Sequence, residues 1–355
     1  MAGRTMNPLG RGIGFPVLLA IAFCLAPGPT PTLAQGRPVV VKLATLAPSG
    51  SVWHEILLDM GEQWSDATGG AVTLRIYPGG VAGEEADVLR KMRIGQLHAG
   101  SLSLAGLQRI TPWVNVLAIP MLMETPEDLI RVRTAMEPRL EAVFRDNGYV
   151  LLNWGDVGWM RFFLPEPDAS VDACRRLKFM AWSDDAMLDL WRDEGFQNVV
   201  LNLSDVLPGL QTGMVNAIGS TPLWVISNQW FPFVPYMVDM PWAPLAGATV
   251  IDRRVWERIP AEHRPVLMRI ARETGRRFQE ETQRKEAEAI AAMQERGLTV
   301  IHPSPEVVAE WRALFRSAYP KLRGQLIPAD WFDEAVRAAE GGAGGGGDGG
   351  LDHER

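Results

Sequence analysis

The chain has 355 residues and a net charge of −7, a length that favours two domains over one. Hydrophobic residues at 47% and charged residues at 22% are ordinary for a globular protein. The negative balance argues against a nucleic-acid binder, which needs a basic face.

The first 34 residues read as an export signal. Arg4 and Arg11 precede an apolar run over 13–27, and Thr32, Leu33 and Ala34 suit cleavage after Ala34. That run is too short for an ordinary transmembrane helix. Cys24 leaves with the signal, so Cys174 is expected as a lone thiol and no internal disulfide forms.

"VVVKLAT" is a buried strand that ends in a Pro/Ser/Gly loop. Ser51 fits the N-cap of a helix whose Trp53, Ile56, Leu57, Met60 and Trp64 recur at helical spacing. "AVTLRIYPGG" alternates as a strand, and "GEEADVLRKMRIG" is a helix opened by acids and closed by Lys91 and Arg93. "LHAGSLSLAG" is a third strand. The order βαβαβ implies parallel strands with helices packed on the sheet. A helix over 125–148 begins at Thr125, and "YVLLNWGDVG" is again a strand. "LKFMAW", a helix, "NVVLNL", the helix "SDVLPGLQTG" and "MVNAIGS" repeat the alternation, and "GATVI" is a late strand assigned to neither block. Residues 260–297 form the longest helical stretch, roughly 50 Å at the standard rise, more than one small domain needs. The Gly-rich end, 341–355, is expected to be a disordered tail.

Taken together, "LATLAPSGSVWHE", "YPGGVAGEEADVLRKMRIGQL", "WGDVGWMRFF", "LQTGMVNAIGSTP" and the long helix after "IPAEHR" resemble the secreted solute-binding subunits of tripartite ATP-independent periplasmic (TRAP) transporters, over roughly residues 38–335. The resemblance implies an α/β, two-lobed periplasmic-binding-protein-like fold with discontinuous lobes, crossover strands and a long helix spanning both. Lobe I would comprise 38–157 plus 247–286, and lobe II 158–246 plus 287–335. Such a protein is periplasmic and not an enzyme. It holds a small organic ligand in its cleft and delivers it to a TRAP membrane permease. "QTGMVNAIGSTPLWVISNQWFPF" is similar to a subgroup that works with tetratricopeptide lipoproteins and hydrophobic ligands.

One departure from the family bears on the ligand. Where the family strand reads like "LKIRVP", with an arginine that clamps the ligand carboxylate, this chain has "LKFMAW" and Met180 stands at the arginine. A guanidinium holds a carboxylate through two parallel bonds, whereas a thioether offers an adaptable apolar contact. Losing such an interaction, ~2–5 kcal/mol, costs an acid most of its affinity. Arg161 in "WMRFF" matches a second family arginine and is a substitute anchor. Its apolar setting demands a partner, either a ligand acid or a structural carboxylate such as Asp156 or Asp184.

The candidate ligand-binding residues are therefore Arg161, Met180, Trp182, Trp53, Ser51, Ser220, Thr221 and Trp224. Each has a plain structural alternative: Ser51 as a helix cap, Trp53 as core, Met180 and Trp182 as one buried strand face. Ser220 and Thr221 follow an apolar strand, where open α/β sheets place ligands. Neither G-x-S-x-G nor a Walker loop occurs, and the five histidines lack metal spacing. Gly219 and Ser220 stand where some relatives put an acidic metal ligand, so no metal and no cofactor is expected. The expected function is capture of a weakly polar or amphipathic organic ligand. The alternatives are a carboxylate receptor anchored by Arg161 alone, or an interaction scaffold that transports nothing.

Overall fold

The computed structural model describes residues 38–182 and 186–341. The expected signal and the Gly-rich tail lie outside the described residues, apart from Gly341, as does Asp184.

The first strands and helices are β1 (Val39–Thr45), α1 (Val52–Ala67), β2 (Val72–Tyr77), α2 (Glu85–Arg93), β3 (Ala99–Ser103) and α3 (Leu104–Gln108). Ser51 caps α1 by accepting from the His54 amide. After a short 3-10 turn comes α4 (Pro126–Asp146), which starts in a capping box: Thr125 and Asp128 each accept from the other's backbone N–H. β4 (Tyr149–Leu164) follows, then α5 (Val171–Arg175), β5 (Lys178–Ala181), α6 (Ala186–Asp193), β6 (Gln197–Val200), α7 (Leu203–Thr212), β7 (Ala217–Ser220), α8 (Pro222–Ser227) and β8 (Tyr236–Val238). The chain ends with β9 (Ala243–Asp252), α9 (Arg253–Arg258), α10 (Arg264–Gln294), β10 (Thr299–Ile301), α11 (Pro305–Ser317), α12 (Tyr319–Lys321) and α13 (Ala329–Glu340).

The strands form two half-sheets joined through β4. One runs β2-β1-β3-β9-β4 and the other β4-β7-β5-β6, with β8 and β10 attached to the second. The βαβ units pair in parallel, β1 with β2 and β3, and β5 with β6 and β7. β9 runs antiparallel between β3 and β4, so it belongs with the first half-sheet despite its late position. β4 is longer than its sequence pattern suggests. It pairs with β9 up to Met160 and then with β7 from Arg161. A register shift lies between Asp156 and Gly158, and Gly158 has φ +116°, a conformation that side-chain-bearing residues avoid.

Helices cover both faces of each half, giving four apolar clusters. α4, α13 and the 3-10 turn pack one face of the first half-sheet, while α1, α9 and most of α10 pack the other. In the second half, Phe179 of β5 joins Trp311 and Phe315 of α11, and Met180 faces α7, α8 and Met293. α10 crosses β4 closely enough that a Cβ on Gly275 would lie 2.9 Å from the Trp154 carbonyl oxygen. Its 31 residues contribute to a cluster in each half. α13 packs on α4 in the first half, whereas chain order alone groups most of it with the second block.

Candidate functional site

Between the two halves lies a cavity of about 240 Å³. Its walls come from the C-terminal ends of parallel strands, where open α/β sheets hold ligands. β1 contributes Thr45 and the following Leu46 and Ala47, β3 contributes Ser101 to Ser103, β5 contributes Phe179 to Ala181, and β7 contributes Gly219 and Ser220. β4 and β9 supply the floor with Gly155 to Val157, Met160, Phe162, Leu245 and Gly247. Trp53 of α1, Trp182 after β5, Trp191 of α6, Trp224 of α8 and Trp242 add five indoles.

Trp53, Met180, Trp182, Ser220 and Trp224 are thus brought to one cavity. The sequence places Met180 and Trp182 two residues apart on a strand, and both reach the cavity. Met180 does so while 5% exposed in the α7–α8 cluster. Trp224 bridges the halves, with its ring centroid 5.4 Å from Trp53 and 6.4 Å from Trp182. The Trp53 indole N–H donates to the Asp156 carbonyl at 3.4 Å, and the Thr282 hydroxyl donates to the same oxygen at 2.9 Å.

Three other candidates are placed elsewhere. Ser51 is spent as the α1 cap and Thr221, fully buried, as the α8 cap, accepting from the Trp224 amide at 3.4 Å. Neither is in the cavity wall. Arg161 alternates with Met160 and Phe162 along β4, so it points to the other face of the strand. There its guanidinium is bonded to Glu286 of α10 and lies 3.6 Å from Asp239. Its partner is not Asp156, whose carboxylate is bonded to Arg133. Burial pushes Glu286 above the usual carboxylate range, and the Arg161 charge offsets that only in part. Glu286 and Asp239 thus pair with Arg161 away from the cavity wall, although the buried Nε of Arg161 has no hydrogen-bond partner.

Among the described residues no lysine, arginine or histidine lines the cavity, and its two acids are Glu85 and Asp156. Glu85 was not legible as a site residue, because an acid in the first turn of a helix is ordinarily explained by the helix dipole. Here its side chain turns inward and bonds Ser103, taking the backbone N–H at 2.5 Å and meeting the hydroxyl at 2.7 Å. Burial raises its pKa, outweighing the bonds from Ser103. Phe162, Trp191 and Phe278 were also missed; they are apolar residues with the same pattern as core. Cys174 is buried in α5, and burial pushes its thiol up to about 12 despite nearby Arg176. Among the described residues no group of three or more His, Cys, Asp or Glu could hold a metal ion.

The model of the family described as bacterial extracellular solute-binding protein, family 7 (DctP) matches residues 43–325. The chain is 21% identical to the C4-dicarboxylate-binding periplasmic protein DctP of Rhodobacter capsulatus, over 83% of this chain and 88% of that protein. Matches to other curated relatives span between 49% and 85% of their lengths. Among solved structures, a Bordetella pertussis extracytoplasmic solute receptor binding pyroglutamic acid superimposes with TM-score 0.79 at 17% identity, covering 85% of this chain and 99% of that one. A Shewanella oneidensis TRAP periplasmic solute-binding protein with bound succinate superimposes with TM-score 0.80 at 19% identity, covering 85% and 100%.

Proposed function

Because the chain belongs to bacterial extracellular solute-binding protein family 7, the DctP family of TRAP receptors, we propose that it captures a weakly polar or amphipathic organic ligand between its lobes and presents it to a membrane permease. The family is one of extracytoplasmic receptors rather than enzymes. Among the described residues no helix is long and apolar enough to cross a membrane.

The observation that carries the ligand assignment is the lining: five indoles and, among the described residues, no base, with Met180 where the family's carboxylate-clamping arginine is expected. A small dicarboxylate entering this cavity would lose its hydration and find no cation among the described lining residues, a cost that ions do not recover from apolar walls. Aromatic faces instead favour an apolar or ring-bearing body. In this reading the lobes part where β4 and β9 cross, near residues 157–158 and 246–247, and α10 spans both. The tetratricopeptide partner implied by the subgroup likeness belongs to the same proposal, since a hydrophobic ligand suits a relay that shields it from water.

Thermal-shift measurements decide between this and a carboxylate receptor. Apolar ring-bearing compounds should raise the melting temperature more than succinate at equal concentration. Strong stabilisation by succinate, lost in Arg161→Ala, would instead establish the carboxylate receptor. Native mass spectrometry of the purified full chain should show a co-purified small molecule.

A further inference from the structure

We propose that the ligand carries a positively charged nitrogen on an apolar body, and that Glu85 receives it beside the indole faces of the cavity. This deepens the receptor reading above and rests on it.

Glu85 is the first residue of α2 and is only 8% exposed, yet it lines the cavity. Its position is fixed from two sides. Ser103 holds both carboxyl oxygens, at 2.5 Å through its backbone N–H and at 2.7 Å through its hydroxyl. Gly106 leaves room for the carboxyl, since a Cβ there would lie 2.8 Å from Oε2. An ionised carboxylate has about four acceptor positions; Ser103 fills two of them and the Gly106 backbone N–H bears on a third, which leaves a place for one more donor.

Among the described residues of the cavity wall, none supplies the missing positive charge. The neighbouring Glu84 is another acid, and Arg133 is bonded to Asp156. A buried carboxyl without a cation is costly to ionise, and burial indeed pushes this one upward. An ammonium group arriving with the ligand would supply that cation. The aromatic walls act in the same direction, because the negative faces of indole rings attract cations. An anionic ligand meets the opposite: Glu85 does not favour it, Asp156 is already paired with Arg133, and among the described residues no base lines the cavity to receive it.

The test uses the full chain and three probes with one apolar body: phenethylamine, phenethyl alcohol and hydrocinnamate, titrated by calorimetry at neutral pH. The ammonium probe should bind about tenfold or more tighter than the alcohol, with the carboxylate weakest. In Glu85→Gln the ammonium should fall to within about threefold of the alcohol, whose own affinity should hardly change. The ranking in the unaltered protein decides the matter even where that variant folds poorly. Equal binding of alcohol and ammonium, or tightest binding of the carboxylate, overturns the ammonium inference and leaves the apolar receptor standing. A Glu85→Gln variant that melts earlier but keeps the ranking overturns it too, because Glu85 would then only staple Ser103. Binding by none of the three overturns the apolar-cavity reading as well.

Discussion

At the scale of single residues, the position of a charge decides whether it can serve a ligand. Arg161 and Glu286 have side chains 13% and 12% exposed, so their pair is largely shielded from solvent. Removing one member of such a pair strands the other, at about 3–5 kcal/mol. Arg161→Ala should therefore lower stability by about that amount in urea denaturation at neutral pH, with the ranking of bound ligands unchanged. The pH dependence has a definite sign. Glu286 already has a folded pKa above its ordinary value, and loss of Arg161 raises it further. A raised carboxyl contributes stability below its unfolded pKa and loses it as pH rises through the folded one. The deficit of the variant should thus be smallest near pH ~4 and grow toward neutrality. A deficit independent of pH would show that Arg161 acts through packing alone. Met180 offers the converse experiment. Met180→Arg places a guanidinium in the cavity wall where the family uses one. It should raise succinate affinity about tenfold or more, at the cost of a less stable empty protein. Unchanged succinate affinity would mean that the loss of acid binding has another origin.

At the scale of elements, two helix N-termini carry predictions. The side chain of Glu84 at the start of α2 makes no bond within its own helix. It accepts instead from the Leu203 amide, the first of α7 in the other half, at 3.1 Å. The N-cap residue of α7, Asn202, makes no side-chain cap bond, so Glu84 caps that helix from across the cleft and favours the closed arrangement. Glu84→Ala should weaken ligand binding by several-fold, consistent with ~1 kcal/mol for a lost cap, chiefly through faster release. Small-angle scattering of the empty variant should show a larger radius; unchanged release and radius would reduce the contact to an ornament of the closed form. Thr125 caps α4 within a single half, so Thr125→Ala should cost about 1 kcal/mol of stability and leave release alone. The two caps differ in how far they could be read from sequence. Thr125 was legible as the start of α4 because capping is local, while its reciprocal partner Asp128, three residues on, emerged with the structure. Glu84 and Leu203 are 119 residues apart, and no window of sequence contains both. β4 shows the same limit. Its pattern suggests an end near Gly158, yet it continues to Leu164 because β9, β7 and β8 supply partners. Trp53 and Trp224 were legible as candidates through helix-start positions and Met180 through its place in the family strand, and all three line the cavity, whereas Glu85 depended on a distant serine.

At the scale of the whole molecule, two elements belong to both halves and a third lies along their crossing. β4 pairs with β9 in one half-sheet and with β7 and β8 in the other. β9 runs beside β4 through the crossing, and α10 buries Phe278 in one cluster and Met293 in another. Neither half can lose these elements without exposing the apolar face of the other. The halves should therefore move as hinged bodies but unfold together. Urea denaturation followed by circular dichroism should give one transition, and substitution in either core should shift all of it. Leu57→Ala, in the α1 cluster of the first half, should lower stability by about 2–5 kcal/mol with no change in the slope of the transition. The same variant should cut hydrogen-exchange protection in α11, which lies in the other half, as much as in α1, because both report the one global opening. Two transitions, or protection lost in α1 alone, would mean that the crossing elements transmit motion but not stability. In that case cleft opening could proceed by local unfolding of one half rather than by rotation about the Gly158 bulge.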